Sequence, residues 1–316
     1  MAQLFTRKQL ILAKIETTYG TDSVPVVGTD AMLISDLSMN PAQSEYVSRD
    51  LIRPYLGASQ QLPAAIRSEV SFSVELAGSG AAGTAPKWAP LIRACGFAET
   101  VNAGVSVQYD PVSGPTFASV TIYAFRDGVR HVIRGARGTF TIAMNNRERP
   151  VMNFTFTGLY QSPTDVTPGT AVYTGWQTPL VFNNQNSSAF TLQSYANAVL
   201  SSITIDAGNQ VEYRSFVGTG GESILITNRE VTGQITIESA TQAEKDFWTN
   251  VRDAVTGNFT ITHGTTAGNR VVISAPAVQV TEPQYGDVQG ISTTQFNARL
   301  TPSATAGNDE IRILVN

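Results

Sequence analysis

Polar and apolar residues alternate along much of this chain with a period of two. In Val70–Leu76, the residues Val70, Phe72, Val74 and Leu76 share one face while Ser71, Ser73 and Glu75 share the other. Met152, Phe154 and Phe156 alternate in the same way with Asn153, Thr155 and Thr157. The pattern returns in Ser119–Phe125, Val129–Ile133, Gly138–Met144, Leu200–Ile205, Ile235–Glu238, Asn258–Thr262, Arg270–Ser274, Ala277–Thr281 and Ile311–Val315. Successive side chains of a strand point to opposite faces, so alternation bounded by Gly, Pro, Asn and Asp predicts half-buried antiparallel strands. Arg126-Asp127-Gly128 between two such runs predicts a hairpin turn, because Asp-Gly accepts left-handed backbone.

Two segments carry a helical signal instead. Thr241 and Glu244 have the spacing of a capping box, and Phe247, Trp248, Val251, Ala254 and Val255 follow as an apolar stripe that Gly257 would end. Pro86–Gly96 predicts a shorter helix, with prolines confined to its start and a glycine at its end.

The order of parts recurs in the two halves. Leu33–Ser38 matches Leu200–Ile205, Glu45-Tyr46 matches Glu212-Tyr213, and Ser73-Val-Glu75 matches Thr236-Ile-Glu238. Trp88 with Ile92-Arg93 matches Trp248 with Val251-Arg252. The offset between matched positions drifts slowly downward, as loop deletions in a duplicated domain would produce. The expected organisation is an N-terminal arm over 1–30, a first domain over 31–160, a linker over 161–197 and a second domain over 198–316. Trp176, Leu180, Val181 and Phe182 would let that linker pack along a surface.

Length and composition fit this division. A chain of 316 residues accommodates two domains, each able to bury a core. Charged residues make up only 15%, with four lysines among 21 basic residues. A surface poor in lysine suits extensive protein contact. The net charge of −4 argues against binding to nucleic acid or an anionic membrane. The apolar run after Arg7 and Lys8 is too short for a signal peptide, and none is long enough to span a membrane. Synthesis in a cytoplasm is expected.

No catalytic constellation emerges. His131 and His263 lie in separate strand-like runs without metal-ligand spacing, and Cys95 stands alone. Gly78–Gly83 lacks the lysine of a phosphate loop and reads as a strand-to-helix connection. Asp127 and Asp309-Glu310 adjoin turns. Neither cofactor nor metal is expected, and the chain is read as a non-enzyme.

The long segment Glu45–Pro63 has the composition of a contact surface. It holds Tyr46, Arg49, Arg53 and Tyr55 among leucines, and the second half repeats it in shorter form with Tyr213 and Arg214. Tyrosine and arginine are the usual anchors of protein interfaces. The segment either packs on a neighbouring subunit or covers its own sheet. The arm Phe5–Val27 and the strand Ile311–Val315 are further candidates for edge pairing with a neighbour.

Several motifs together resemble one family. Ala13–Asp22, Val47–Gly57, Glu75–Gly80, Leu91–Phe97, Asn153–Tyr160 and Gly307–Glu310 look like the tail tube (major tail) proteins of long, non-contractile-tailed bacteriophages. Specificity lies in the number and order of these motifs, which span nearly the whole chain. The resemblance implies tandem β-sandwich or half-barrel domains, each with one short flanking helix, that join into a continuous β-barrel on oligomerisation. It implies a structural subunit of the virion tail whose stacked rings enclose a tape-measure protein and later conduct DNA. Further expected partners are tail terminator and distal tail proteins. Two tube domains per chain would favour a trimer, whereas one tube domain plus an outer domain would favour a hexamer. Ser71, Ser73, Glu75, Gln234, Thr236 and Glu238 are candidates for lining the lumen or, equally, the outer surface. A virion surface or receptor-binding β-protein and a related secretion-system tube are the alternatives.

Overall fold

The computed structural model describes residues 3–114 and 117–316, so the first two residues of the predicted arm and Pro115-Thr116 of the first predicted domain lie outside the described residues. The chain runs through β1 (Gln9–Ile15), β2 (Ala31–Met32), β3 (Ser35–Val47), β4 (Leu62–Glu75), the helix α1 (Ala89–Ala94), β5 (Phe97–Asn102), β6 (Ser106–Pro111), β7 (Val120–Arg126), β8 (Val129–Asn145) and β9 (Val151–Leu159). It continues through β10 (Thr164–Asp165), β11 (Ser187–Leu192), β12 (Leu200–Asp206), β13 (Asn209–Ser215), β14 (Glu222–Arg229), β15 (Thr232–Glu238), the helix α2 (Phe247–Arg252), β16 (Thr256–His263), β17 (Val271–Val288), β18 (Ile291–Thr301) and β19 (Arg312–Val315). The fold is mainly β with two short helices, as the alternation predicts.

Two strands each unite two sequence runs. β8 unites Val129–Ile133 with Gly138–Met144, and β17 unites Arg270–Ser274 with Ala277–Thr281. Gly135, at φ +58, and a register shift between Arg134 and Arg137 bend β8 without ending it. The first part of β8 pairs with β7 and the last part with β9. One strand thereby turns the corner between two packed sheets. β17 does the same between β16 and β18, with a shift between Thr281 and Gln284.

The pairing order recurs along the chain. In the first half β3, β4, β9 and β8 pair in that order, all antiparallel. In the second half β12, β15, β18 and β17 do so. The second layer repeats as well, with β1 on β7 matched by β11 on β16. α1 and α2 follow β4 and β15, each the second member of its four-strand set in pairing order. The segment predicted as a linker therefore holds strands of its own: β10 pairs with the start of β8, and β11 belongs to the sheet of β16.

One core runs through both halves. Phe72, Phe140, Phe154 and Phe156 form its aromatic centre, with Phe154 about 6 Å from each of the other three rings. Phe296, Phe259, Ile235 and Ile237 extend the same core into the second half. α1 inserts Leu91 and Ile92, and the Trp88 indole N–H before it donates to the Ala77 carbonyl at 2.8 Å. A smaller cluster of Leu10, Leu12, Tyr123, Phe125 and Val132 lies apart from this core, covered by Val166 and Ala171 from the predicted linker.

The second helix differs from its expectation. Thr241 and Glu244 do bond each other, with the Glu244 carboxylate accepting from the Thr241 N–H and hydroxyl, but they close a turn. The helix starts at Phe247 and is capped by Asp246, whose carboxylate accepts the Thr249 N–H at 2.9 Å. It ends at Arg252 because Ala254 takes a left-handed φ of +53 and Thr256 already enters β16. Only Phe247 of the predicted stripe is buried, and Gly257 lies within a strand, pressed against Gln193.

Candidate assembly surface

The groups that could carry chemistry are engaged structurally. His263 is buried, with Nδ1 2.9 Å from the Ser187 hydroxyl and Nε2 3.1 Å from the Leu180 carbonyl. Burial holds its imidazole below the ordinary value of 6.5, and burial with the Arg126 charge does the same at His131. The Cys95 thiol is fully buried, which pushes its pKa well up and keeps it protonated. The glycines of Gly78–Gly83 serve close approach. The Gly78 and Gly80 N–H groups donate to the Asn269 side chain and the Gly268 carbonyl, and a Cβ on Gly78 would collide with that backbone. Asp127 accepts from the Phe5 N–H at 2.6 Å, and Glu310 pairs with Arg229 at 2.5 Å. Among the described residues no cluster of ligands suits a metal ion, and no helix is long and apolar enough to cross a membrane.

The motif Ala13–Asp22 explains itself in three dimensions. The buried Glu16 carboxylate accepts from the Ser119 hydroxyl, the Thr121 hydroxyl and the N–H groups of Gly135 and Gly20, all within 2.9 Å. Tyr19 lies under the Arg137 guanidinium, and its hydroxyl accepts the Ile224 N–H of β14 at 2.5 Å. Burial raises the Tyr19 pKa. Arg137, also buried, donates to the carbonyls of Ile224 and Phe117 at 2.7 Å. This corner fastens the N-terminal segment to β8 and the β13–β14 hairpin to both. Sequence periodicity gave no hint of it, because its members are scattered polar residues.

The six residues proposed to line a lumen or outer face lie on one side of a single sheet. Ser71 and Ser73 stand opposite Thr155 and Asn153 of β9, and Gln234 and Thr236 stand opposite Asn297 and Gln295 of β18. Hydrogen bonds cross this face, from Ser73 to Asn153 and from Asn153 to Thr141. Glu75 and Glu238 close the strands. Arg67 and Arg149 are ion-paired with Glu45 and Glu75, and Arg299 with Glu230. The opposite side of the sheet is the core described above.

The contact candidates divide into two sets. Tyr46 is 58% and Tyr55 64% exposed, and the segment 48–61 that carries Arg49, Arg53 and Tyr55 lies outside the strands. Leu51, Ile52 and Leu56 are exposed beside them, so the segment does not cover its own sheet. Tyr213 and Arg214 are half-buried within the chain, Tyr213 beneath the Arg67 guanidinium and Arg214 over Phe216. Two further candidates are corrected: β1 pairs with β2 and β7, and β19 with β17 and β6, so both strands lie inside their own sheets.

What the sequence did not reveal is how the halves join. The end of β8 pairs antiparallel with β12: Asp206 opposite Thr141, Ile205 opposite Ile142, Thr204 opposite Ala143, Ile203 opposite Met144 and Ser202 opposite Asn145. The two four-strand sets thereby become one sheet, from β3 at one end to the last residues of β17 at the other. Ile142, Met144, Ile203 and Ile205 are buried at the junction. Among the described residues no strand pairs with the outer edge of β3 or with Gln284–Val288 on the side away from β18.

Residues 6–298 match the phage tail tube protein family. No curated protein matches the chain.

Proposed function

As the chain belongs to the phage tail tube protein family, we propose that it is a structural subunit whose copies join edge to edge into rings, and that the rings stack into the tube of a virion tail. The observation that carries this is the continuous antiparallel sheet, apolar on one face, polar on the other and, among the described residues, unpaired at both ends. An exposed sheet edge templates pairing with another chain, and closing a ring removes the edge. The two halves are read as duplicated tube domains, so three copies supply six domains, and a trimer is favoured over a hexamer.

The polar face of Ser71, Ser73, Glu75, Gln234, Thr236 and Glu238 would then line the lumen. Short hydroxyl and amide side chains, with Arg67, Arg149 and Arg299 held in ion pairs, give DNA little to hold it, so DNA can slide past. The lumen would contain the tape-measure protein before it conducts DNA, with terminator and distal tail proteins at the tube's ends. The exposed segment 48–61 would reach the adjoining ring or subunit. The subunit would be made in the bacterial host cytoplasm and end in the virion.

Negative-stain microscopy of the purified protein tests this reading. Hollow rings or tubes of uniform bore with three-fold repetition are expected. A protein that stays monomeric at every concentration and salt tried would refute it.

A further inference from the structure

We infer that the junction between the two halves is repeated between copies: the outer edge of β3 in one copy pairs antiparallel with Gln284–Val288 of β17 in the next. This rests on the ring reading above and adds the partner edge and its register. The equivalence of the halves sets that register. Phe72 stands opposite Phe154 as Ile235 stands opposite Phe296, which aligns β4 with β15 and β9 with β18. On that alignment Met39, opposite Val70, takes the place of Ile205, opposite Gly233. Tyr285, opposite Thr294, takes the place of Ile142, opposite Met152. Since Ile205 pairs with Ile142 within the chain, Met39 of one copy pairs with Tyr285 of another. By the same steps Asn40 faces Gln284, Ser38 faces Gly286 and Ser35 faces Val288.

Two observations that did not enter the alignment agree with it. The first is proline placement. Pro41 follows Asn40 and Pro283 precedes Gln284, so both edges lose their free N–H at the same end of the proposed ladder. Within the chain the ladder goes one bond further, from the Ala207 N–H to the Phe140 carbonyl at 3.0 Å. Pro41 occupies the place of Ala207 and cannot donate that bond, so the ladder between copies ends at Asn40 and Gln284.

The second observation is exposure. Ile142 is 1% exposed at the junction within the chain, whereas its counterpart Tyr285 is 68% exposed. Trp248, itself 44% exposed, packs tilted against Tyr285 with ring centroids 5.5 Å apart. An apolar cluster at a sheet end, where the other half buries its equivalent strand, fits a second copy of this chain.

Disulfide trapping tests the register. Single variants Met39→Cys and Tyr285→Cys are purified, mixed, allowed to assemble and oxidised; Cys95 is fully buried and does not interfere. A covalent dimer in the mixture, with none in either variant alone, is the expected result. Ser35→Cys with Val288→Cys is a second pair with the same expectation, should either first variant fold poorly. Met39→Cys with Val288→Cys, three residues out of register, should cross-link far less. Tubes without cross-links at either matched pair would overturn the register and leave the ring standing. A dimer from Met39→Cys alone would show like edges pairing and would overturn the head-to-tail arrangement. If unmodified protein forms no rings or tubes, the ring reading falls and takes this inference with it.

Discussion

Glu16 is held from several sides at once. Its buried carboxylate satisfies two hydroxyls and two backbone N–H groups from three separate segments. Removing a buried acceptor leaves its donors unsatisfied, at a cost of about 1–3 kcal/mol. Glu16→Ala should therefore lower unfolding free energy by about 3 kcal/mol in urea titration, while Ser113→Ala at an exposed bond should do little. Phe154→Ala should cost about 3–5 kcal/mol, since its neighbours are rings held on paired strands that cannot collapse into the space. His263 gives the protein a pH dependence of defined sign. Its pKa in the fold is lowered by burial, so the unfolded chain binds the proton first as pH falls. Stability is full above the unfolded value of about 6.5 and falls as acidity increases toward the folded value. His131 adds in the same direction. A thermal midpoint measured from pH 7.5 to 5.5 should decline, and less steeply in His263→Gln.

At the scale of elements, local pattern and tertiary packing disagree where a residue's role depends on distant backbone. Asp246→Ala should lower the thermal midpoint more than Thr241→Ala, because Asp246 caps α2 while Thr241 only closes the turn before it. An opposite ranking would mean that the helix extends back to Thr241. The sequence reading places the cap at Thr241 because of its partner Glu244. Alternation identified β4, β8, β9, β12, β15 and β17 of the main sheet, since one face of each is buried and the other polar, but not β18 or the greater part of β3. It divided β8 and β17, because the bend at Gly135 and the proline at 276 look like strand ends when the sheets on either side are unseen. It missed β11 as part of the second half's sheet, for Ser187–Leu192 is short and carries no clear alternation. The six polar candidates share one face of the main sheet. Tyr213 was matched to Tyr46 by sequence, yet Tyr213 and Arg214 are half-buried where Tyr46 is exposed, because β13–β14 is docked on β8.

On the scale of the molecule, the roles in assembly proposed for the exposed segment 48–61 and for the sheet edges can be tested separately. Replacing 49–59 by a short glycine-serine turn should leave the monomer's thermal midpoint nearly unchanged, since those side chains contribute little to the core. It should weaken association, seen as a smaller sedimenting species at equal concentration. Loss of folding instead would mean that the segment covers its own sheet after all. The family is legible from dispersed motifs such as Glu16 with Tyr19-Gly20, whose shared purpose is one corner of the fold. The junction of β8 with β12 was not legible, because pairing between strands so far apart in sequence leaves no local periodicity.

The junction inside the chain has one further consequence. It is backed by a covalent backbone and extended by the Ala207 bond, whereas the proposed contact between copies would end at Pro41 and Pro283. A closed ring built this way alternates reinforced and unreinforced joints around its circumference. Under mechanical load, such as internal pressure during DNA passage, strain would concentrate at the unreinforced joints. The ring would fracture there into intact copies, leaving each pair of halves joined.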